Sequence, residues 1–304
     1  MQPVKDIKLT KNTTIKQLIS EFNESGGFVA KKVADGAIIF EKMLDDKKCI
    51  KFLSFPAAII ATGCRGIVKD LVKNKLVDVI ITTCGTLDHD LARRWKDYYH
   101  GSFDMDDAKL RKKGINRLGN VLVPNDSYGI ILEKKLLPII ESIHQKQQVL
   151  STRELCYEIG KRLDDEDSIL YWAAKNNIPV FVPGITDGSV GSQIWMFRQK
   201  HPDFMIDVFK DEQELAAIVF DAKKTGALMI GGGISKHHTI WWNQFRDGLD
   251  YVVYITTAPE WDGSLSGARV KEGISWGKVA ANASHVTIEG DATVLLPLVV
   301  GNVL

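Results

Sequence analysis

Short apolar runs alternate with amphipathic stretches along most of this chain. Near the start, Thr14 precedes Ile15, Leu18, Ile19 and Phe22. That spacing predicts a helix with one apolar face, Thr14 as its cap and Gly26-Gly27 as its stop. Further on, apolar runs at 37–40, 49–55, 77–82, 178–182, 227–230 and 251–255 predict strands. Several are nearly continuous, as parallel strands buried on both faces are. Helical spacing at Ile67, Leu71, Val72 and Leu76 precedes one run, and at Leu215, Ile218, Val219 and Ala222 another. The alternation predicts βαβ units, hence an α/β fold with a parallel sheet and helices on both faces. Right-handed crossovers would line up the C-terminal ends of the strands along one edge. The polar stretch 103–128 is expected as a loop-rich excursion over the sheet edge. With no repeat and no clear linker, a single domain is the economical reading.

Composition narrows the function classes. A chain of 304 residues buries a substantial core. Its 39 basic and 38 acidic side chains leave a net charge of +1. That balance argues against a general nucleic-acid binder, which needs a basic surplus to neutralise phosphates. Cys49, Cys64, Cys84 and Cys156 form no CxxC pair and no zinc-finger spacing with histidine, so free thiols and no metal are expected. The first residues do not resemble a signal peptide, and no apolar run approaches the ~20 residues of a membrane helix. A cytoplasmic protein without membrane contact is the expectation.

Candidate chemistry collects where predicted strands end. These positions read Thr82-Thr83-Cys84-Gly85, Pro183-Gly184-Ile185-Thr186-Asp187-Gly188, Gly231-Gly232-Gly233 and Thr256-Thr257-Ala258. Small residues just past parallel strands let backbone N–H groups and helix N-termini approach a pyrophosphate. The glycine triplet alone reads equally well as a tight turn, and Lys236 stands where a GxGxxG motif would have its last glycine. Together the strand ends favour NAD or another nucleotide. Asp187 suits an Asx turn, the plainer reading, or a ribose contact. His237 and His238 are adjacent and do not share a helix face, which makes a poor metal pair. One histidine beside such a turn suits proton transfer.

The densest segment is 260–278, EWDGSLSGARVKEGISWGK. Its acids and Lys271 read most simply as solvated loop charges, and Trp276 as a core aromatic. Carboxylates with an indole also suit a polycationic amine, and a lysine there can serve as a nucleophile once its pKa falls.

The stretch Ser275-Trp276-Gly277-Lys278, following Ser266-Gly267-Ala268-Arg269, resembles the catalytic segment of the deoxyhypusine synthase family. The resemblance continues through 82–90, 114–124, 171–182, 186–188, 231–238, 250–257 and 290–292, and runs from about Cys49 to the C-terminus. It implies residues 1–40 as an N-terminal helical extension and 41–304 as a catalytic domain with a Rossmann-like sheet. It also implies an NAD-dependent reaction. Spermidine is oxidised to an imine, 1,3-diaminopropane leaves, the butylamine moiety passes to an enzyme lysine, and it ends on one lysine of a translation factor 5A precursor. Members are homotetramers with sites shared across a dimer interface. By position, Lys278 is the imine-forming nucleophile and His237 the proton-transfer residue. Asp88, His89, Gly263, Ser264, Glu272 and Trp276 fall at amine-binding positions. Thr83, Asp187, Gly232, Thr257, Ala258, Asp291 and Ala292 fall at cofactor positions.

The pattern resembles the archaeal type more closely. Eukaryotic members have two acids where this chain has Asp88 and His89. Ser192 and Leu265 stand where those members have aspartates, and Ala58 and Ala61 replace polar residues. These changes bear on the amine more than on the reaction, and Asp88 and Asp262 are the charges available in compensation. Three alternatives follow: a homospermidine synthase-like transferase, an agmatine-using one, and a non-catalytic NAD-binding protein. The set Lys278, His237, Trp276 and Glu272 weighs against the last. The missing cysteine cluster weighs against a sirtuin-like deacylase.

Overall fold

The structure, a computed structural model, describes residues 1–304. The chain begins with α1 (Ile15–Ser25), α2 (Phe28–Asp45), β1 (Cys49–Phe55), α3 (Ala58–Ala61), α4 (Arg65–Lys73), β2 (Val79–Thr82) and α5 (Cys84–Trp95). Next come β3 (Tyr99–His100), α6 (Asp107–Lys112), β4 (Ile115–Leu118), β5 (Val121–Pro124), α7 (Gly129–His144), β6 (Val149–Leu150), α8 (Thr152–Gly160) and α9 (Ile169–Asn176). It continues with β7 (Val180–Phe181), α10 (Ser189–Arg198), β8 (Met205–Ile206), α11 (Val208–Asp221), β9 (Lys224–Ile230) and α12 (Gly233–Asn243). The last elements are β10 (Leu249–Thr256), α13 (Glu272–Ser275), β11 (Val279–Glu289) and α14 (Ala292–Val300). Two compact units emerge: one of Met1–Phe55, Leu76–Ile81 and Glu214–Leu304, the other of Pro56–Lys75 and Thr82–Gln213.

The first unit bears out the expected α/β class. Its strands lie in the order β11-β10-β9-β1-β2, and β1, β9, β10 and β11 pair in parallel. Successive side chains alternate between faces, so Gly226 and Met229 of β9 look opposite ways. On the Gly226 face lies α2. A Cβ at Gly226 would sit 2.4 Å from the Met43 sulfur, and one at Gly36 2.6 Å from Ile288. The helix packs closer there than any side chain would allow. On the Met229 face lies α12. Both helices thus cover the sheet, one per face. At the N-terminus, Thr14 and Gln17 form a reciprocal capping box, and Gly26 closes α1 at φ 68°.

One predicted strand was wrong: residues 37–40 lie inside α2. Val33, Ala37, Phe40 and Met43, all buried, recur at helical spacing on either side of the short run. Strand β11 escaped prediction because Ala280, Ala281, Asn282, Ala283 and Ser284 offer few large apolar side chains, as suits an end strand of the row.

The second unit is mostly helical. Its excursion is more ordered than its polarity suggests, because 103–128 holds α6 and the β4/β5 hairpin, with β5 also pairing β3. Asp90, wholly buried, ties this unit together. Its carboxylate accepts from Arg65 Nε at 2.7 Å, Ser168 Oγ at 2.8 Å and the N–H groups of Ile169 and Leu170. All four cysteines are buried, and none forms a disulfide. No helix is long and apolar enough to cross a membrane.

Candidate active site

The first unit holds a cavity of about 180 Å³ on the α12 face of the sheet, lined among others by Met229, Lys236, His237, Glu272, Trp276 and Lys278. The local sequence explains its walls. After β9 the chain must turn at once into a helix, and Gly231 (φ 65°) and Gly233 (φ 70°) supply the left-handed backbone that this requires. The turn starts α12 so that Lys236 and His237 face the cavity. After β10 the segment 257–278 crosses back, and its hydroxyl- and glycine-rich turn is fastened by side chains of the sheet and α12. Ser266 O accepts from Tyr254 Oη at 2.7 Å and Thr256 Oγ1 at 2.9 Å. Leu265 O and Ala268 O each accept from Lys236 Nζ at 2.7 Å.

Lys278 directly precedes β11, at the N-terminal end of that strand. Its N–H reaches Gly273 O at 2.9 Å, and its carbonyl accepts from Leu249 N–H at 3.2 Å. The backbone is therefore fixed on both sides of the side chain. Lys278 is only 9% exposed, while Trp276 is 66% exposed. The Lys278 ammonium lies 5.3 Å from the Trp276 ring centroid and 5.6 Å from that of Trp241, within cation–π range of two indoles. The His237 ring is 5.6 Å from Trp241. Burial holds the His237 imidazole below its ordinary pKa, and the charges of Lys278 and His238 push the same way.

Sequence reasoning passed over Lys236, noting it only as the residue that breaks a glycine motif. It is buried, its ammonium lies 3.7 Å from the Tyr254 ring centroid, and burial lowers its pKa to about 7 against the opposing pull of Glu272. The available signal was a lysine in the first turn of a helix whose other early residues are small or apolar.

The cofactor positions of this unit lie together in a different place. Gly232, Thr257, Ala258, Asp291 and Ala292 all follow the C-terminal ends of β9, β10 or β11. Thr257 is exposed, and a Cβ built on Gly233 would meet nothing within 4 Å, so the edge is open beside the N-terminus of α12. An open, glycine-lined helix N-terminus suits the pyrophosphate of a dinucleotide. Asp291 caps α14, accepting from the Thr293 N–H and hydroxyl, both at 2.9 Å. Gly263 and Ser264 are exposed and outside the cavity lining, with Ser264 Oγ bonded to the Asp262 carboxylate. Glu272, though exposed, does line the cavity.

Thr83, Asp88, His89 and Asp187 belong to the second unit. Thr83 is the N-cap position of α5, and Asp187 is exposed in the turn before α10. Asp88 is wholly buried. Its carboxylate accepts from Tyr128 Oη at 2.6 Å and from the N–H groups of Ser189 at 2.8 Å and Val190 at 2.7 Å. Burial raises its pKa, and these three donors oppose the rise. Its visible work is to cap α10. His89 Nδ1 lies 2.8 Å from Tyr98 Oη, and burial with the nearby Arg93 charge lowers its pKa to about 4.

A parallel α/β sheet with a buried lysine, an imidazole and an indole round one cavity, and a second indole within reach of that lysine, defines a protein equipped for amine chemistry. Comparison with known proteins makes this specific. The sequence profile of the deoxyhypusine synthase family matches residues 17–303. A curated relative from Picrophilus torridus, described as a "Probable deoxyhypusine synthase", is 60% identical over 98% of this chain and 96% of its own. Relatives of the same description are 57% identical in Thermoplasma acidophilum, over 98% of this chain and 96% of its own, and 45% identical in Ignicoccus hospitalis, over 100% and 96%. A solved structure described as a "putative deoxyhypusine synthase" from Entamoeba histolytica shares the fold with a TM-score of 0.72 at 24% identity, over 98% of this chain and 96% of that one. The chain belongs to the deoxyhypusine synthase family, and it is a transferase.

Proposed function

We propose that this protein transfers the 4-aminobutyl group of spermidine to one lysine of a translation factor 5A precursor, through an imine on Lys278. The observation that carries this reading is the placement of Lys278: its ammonium lies within reach of two indole faces, nearly buried, in a cavity shared with His237. NAD, when bound, would supply the hydride acceptor for the oxidation of spermidine and the hydride for the final reduction. Gly232, Thr257, Ala258, Asp291 and Ala292 would hold it in the first unit, and Thr83 and Asp187 are its positions in the second.

This chain's own side chains do the rest. Spermidine loses a hydride and a proton to become an imine. The neutral Lys278 amine adds to the imine carbon, and the carbon–nitrogen bond to 1,3-diaminopropane breaks as that amine leaves with a proton. His237, kept neutral by its lowered pKa, is the group to move protons at these nitrogens. Trp276 and Trp241 present ring faces to the cationic chain, and Glu272 offers a counter-charge at the mouth. Gly263 and Ser264 are the further amine positions that the family resemblance gives the first unit, and Asp88 and His89 those it gives the second. The acceptor lysine then adds to the imine carbon, the bond to Lys278 breaks and frees its amine, and reduction of the new imine would draw its hydride from the bound cofactor. The burial of Lys278 limits the access of water to the imine from within its own chain. The enzyme works as a cytoplasmic homotetramer, with residues 41–304 as its catalytic part and 1–40 as an extension.

Borohydride trapping with NAD and radiolabelled spermidine, followed by peptide mapping, tests this, with labelled agmatine in parallel. Label from spermidine on the Lys278 peptide is expected. Label from agmatine alone would keep the imine and change the donor. No label from either amine, with NAD bound, would sink the transfer mechanism.

A further inference from the structure

The second unit gathers a cluster that the amine chemistry does not use. His144 ends α7, and His201 and Asp203 lie in the connection between α10 and β8. Their potential ligand atoms all lie within 4.8 Å of one another. His144 Nε2 is 2.9 Å from Asp203 Oδ2, and the two imidazole centroids are 4.8 Å apart. His144 and Asp203 stand 59 positions apart in the chain, so no short motif could reveal them.

The rings are held in place by an aromatic wall. His201 stacks on Phe197 at 4.2 Å and 19°, and His144 meets the edges of Phe197 and the wholly buried Phe204 at 5.5 and 5.7 Å. An isolated histidine–aspartate pair needs only one imidazole. Here a second imidazole is fixed against the first, where two protonated rings would repel. Two imidazoles and a carboxylate, backed by an apolar wall and open to solvent on the Asp203 side, make the donor set of a borderline divalent transition metal.

We propose that His144, His201 and Asp203 bind Zn²⁺, or a similar divalent transition metal, with water completing the coordination. With bonds near ~2.1 Å in a tetrahedral shell, donor atoms stand ~3.4 Å apart. The ligand atoms, here within 4.8 Å of one another, therefore close by up to roughly 1.4 Å on binding. The ion would staple the last turn of α7 to the chain leaving α10. Two imidazoles exclude Mg²⁺ and Ca²⁺, which take oxygen ligands.

The test is calorimetric titration of the metal-stripped full chain with Zn²⁺ at neutral pH, for wild type, His201→Ala and Asp203→Asn, with Mg²⁺ as a competitor. One equivalent per chain is expected, unaffected by Mg²⁺ and weakened about tenfold or more in either variant. With Co²⁺ as a probe, wild type gains visible absorption that His201→Ala lacks. Asp203 is largely exposed, so its variant keeps the test decisive if His201→Ala folds poorly. Absence of saturable Zn²⁺ uptake, or uptake unchanged in both variants, would overturn the site and leave an ordinary ion pair.

Discussion

At the scale of single residues, the pocket separates two functions that one lysine could have been asked to perform. Lys278 sits at the start of β11, whereas the cofactor positions follow the far ends of the strands. Lys278→Ala should therefore lower transfer to the protein acceptor by ~10⁴-fold or more, as loss of a nucleophile does, while NAD affinity stays within about twofold of wild type. Single-turnover assays and equilibrium binding read the two quantities separately, and full transfer in the variant would remove Lys278 from the chemistry. A second expectation concerns His237. Its pKa is lowered first by burial and then by the charge of Lys278. The neutral imidazole thus persists to a lower pH than an exposed histidine allows. In Lys278→Met the repelling charge is gone and the burial remains, so the His237 pKa should rise yet stay below its ordinary value. Titration of the ring resonances by NMR checks this, and an unchanged or lower pKa would show that the lysine charge does not reach the imidazole.

Secondary elements set how close these side chains come, and glycine decides the spacing at the turn before α12. A Cβ on Gly232 would lie 2.1 Å from Ser266 Oγ and 2.5 Å from Ser266 Cα, so backbone as well as side chain would have to move. Gly232→Ala should cost about 1–3 kcal/mol in stability by overpacking, read by denaturant unfolding. It should also loosen the turn that Lys236, Tyr254 and Thr256 fasten. Unfolding identical to wild type would mean that the 265–268 turn yields freely. The apolar runs at 49–55 and 251–255 announced β1 and β10 because both are buried through most of their length. The run at 37–40 misled because four residues carry no period, and only the wider spacing from Val33 to Met43 reveals a helix. Lys278, His237, Trp276 and Glu272 were legible through a family resemblance, and their meeting in one cavity bears on that reading. Lys236 was not legible in the same way. Its partners are the backbone carbonyls of Leu265 and Ala268, which no residue type announces. The donors around Asp88 were equally hidden, since two are backbone N–H groups at the start of α10.

For the whole molecule, the question is what would keep water from the imine proposed on Lys278. Within one chain Lys278 is shielded, yet the two indoles in its reach are not: Trp276 is 66% exposed and Trp241 42%. Exposed indoles beside a buried lysine form an apolar surface of the kind that marks an interface. An imine beside such an opening hydrolyses unless something covers it. A second copy of the chain would do so, as the proposed oligomer requires. Transfer activity per chain should then fall on dilution, in step with the loss of oligomer mass in light scattering or native mass spectrometry. Adding unlabelled Lys278→Ala chains should restore part of the activity, because those chains still present their indoles and cofactor edge to a wild-type partner. Full transfer by a single-chain species would show that one chain keeps its own imine dry, and the exposed indoles would then need another occupant.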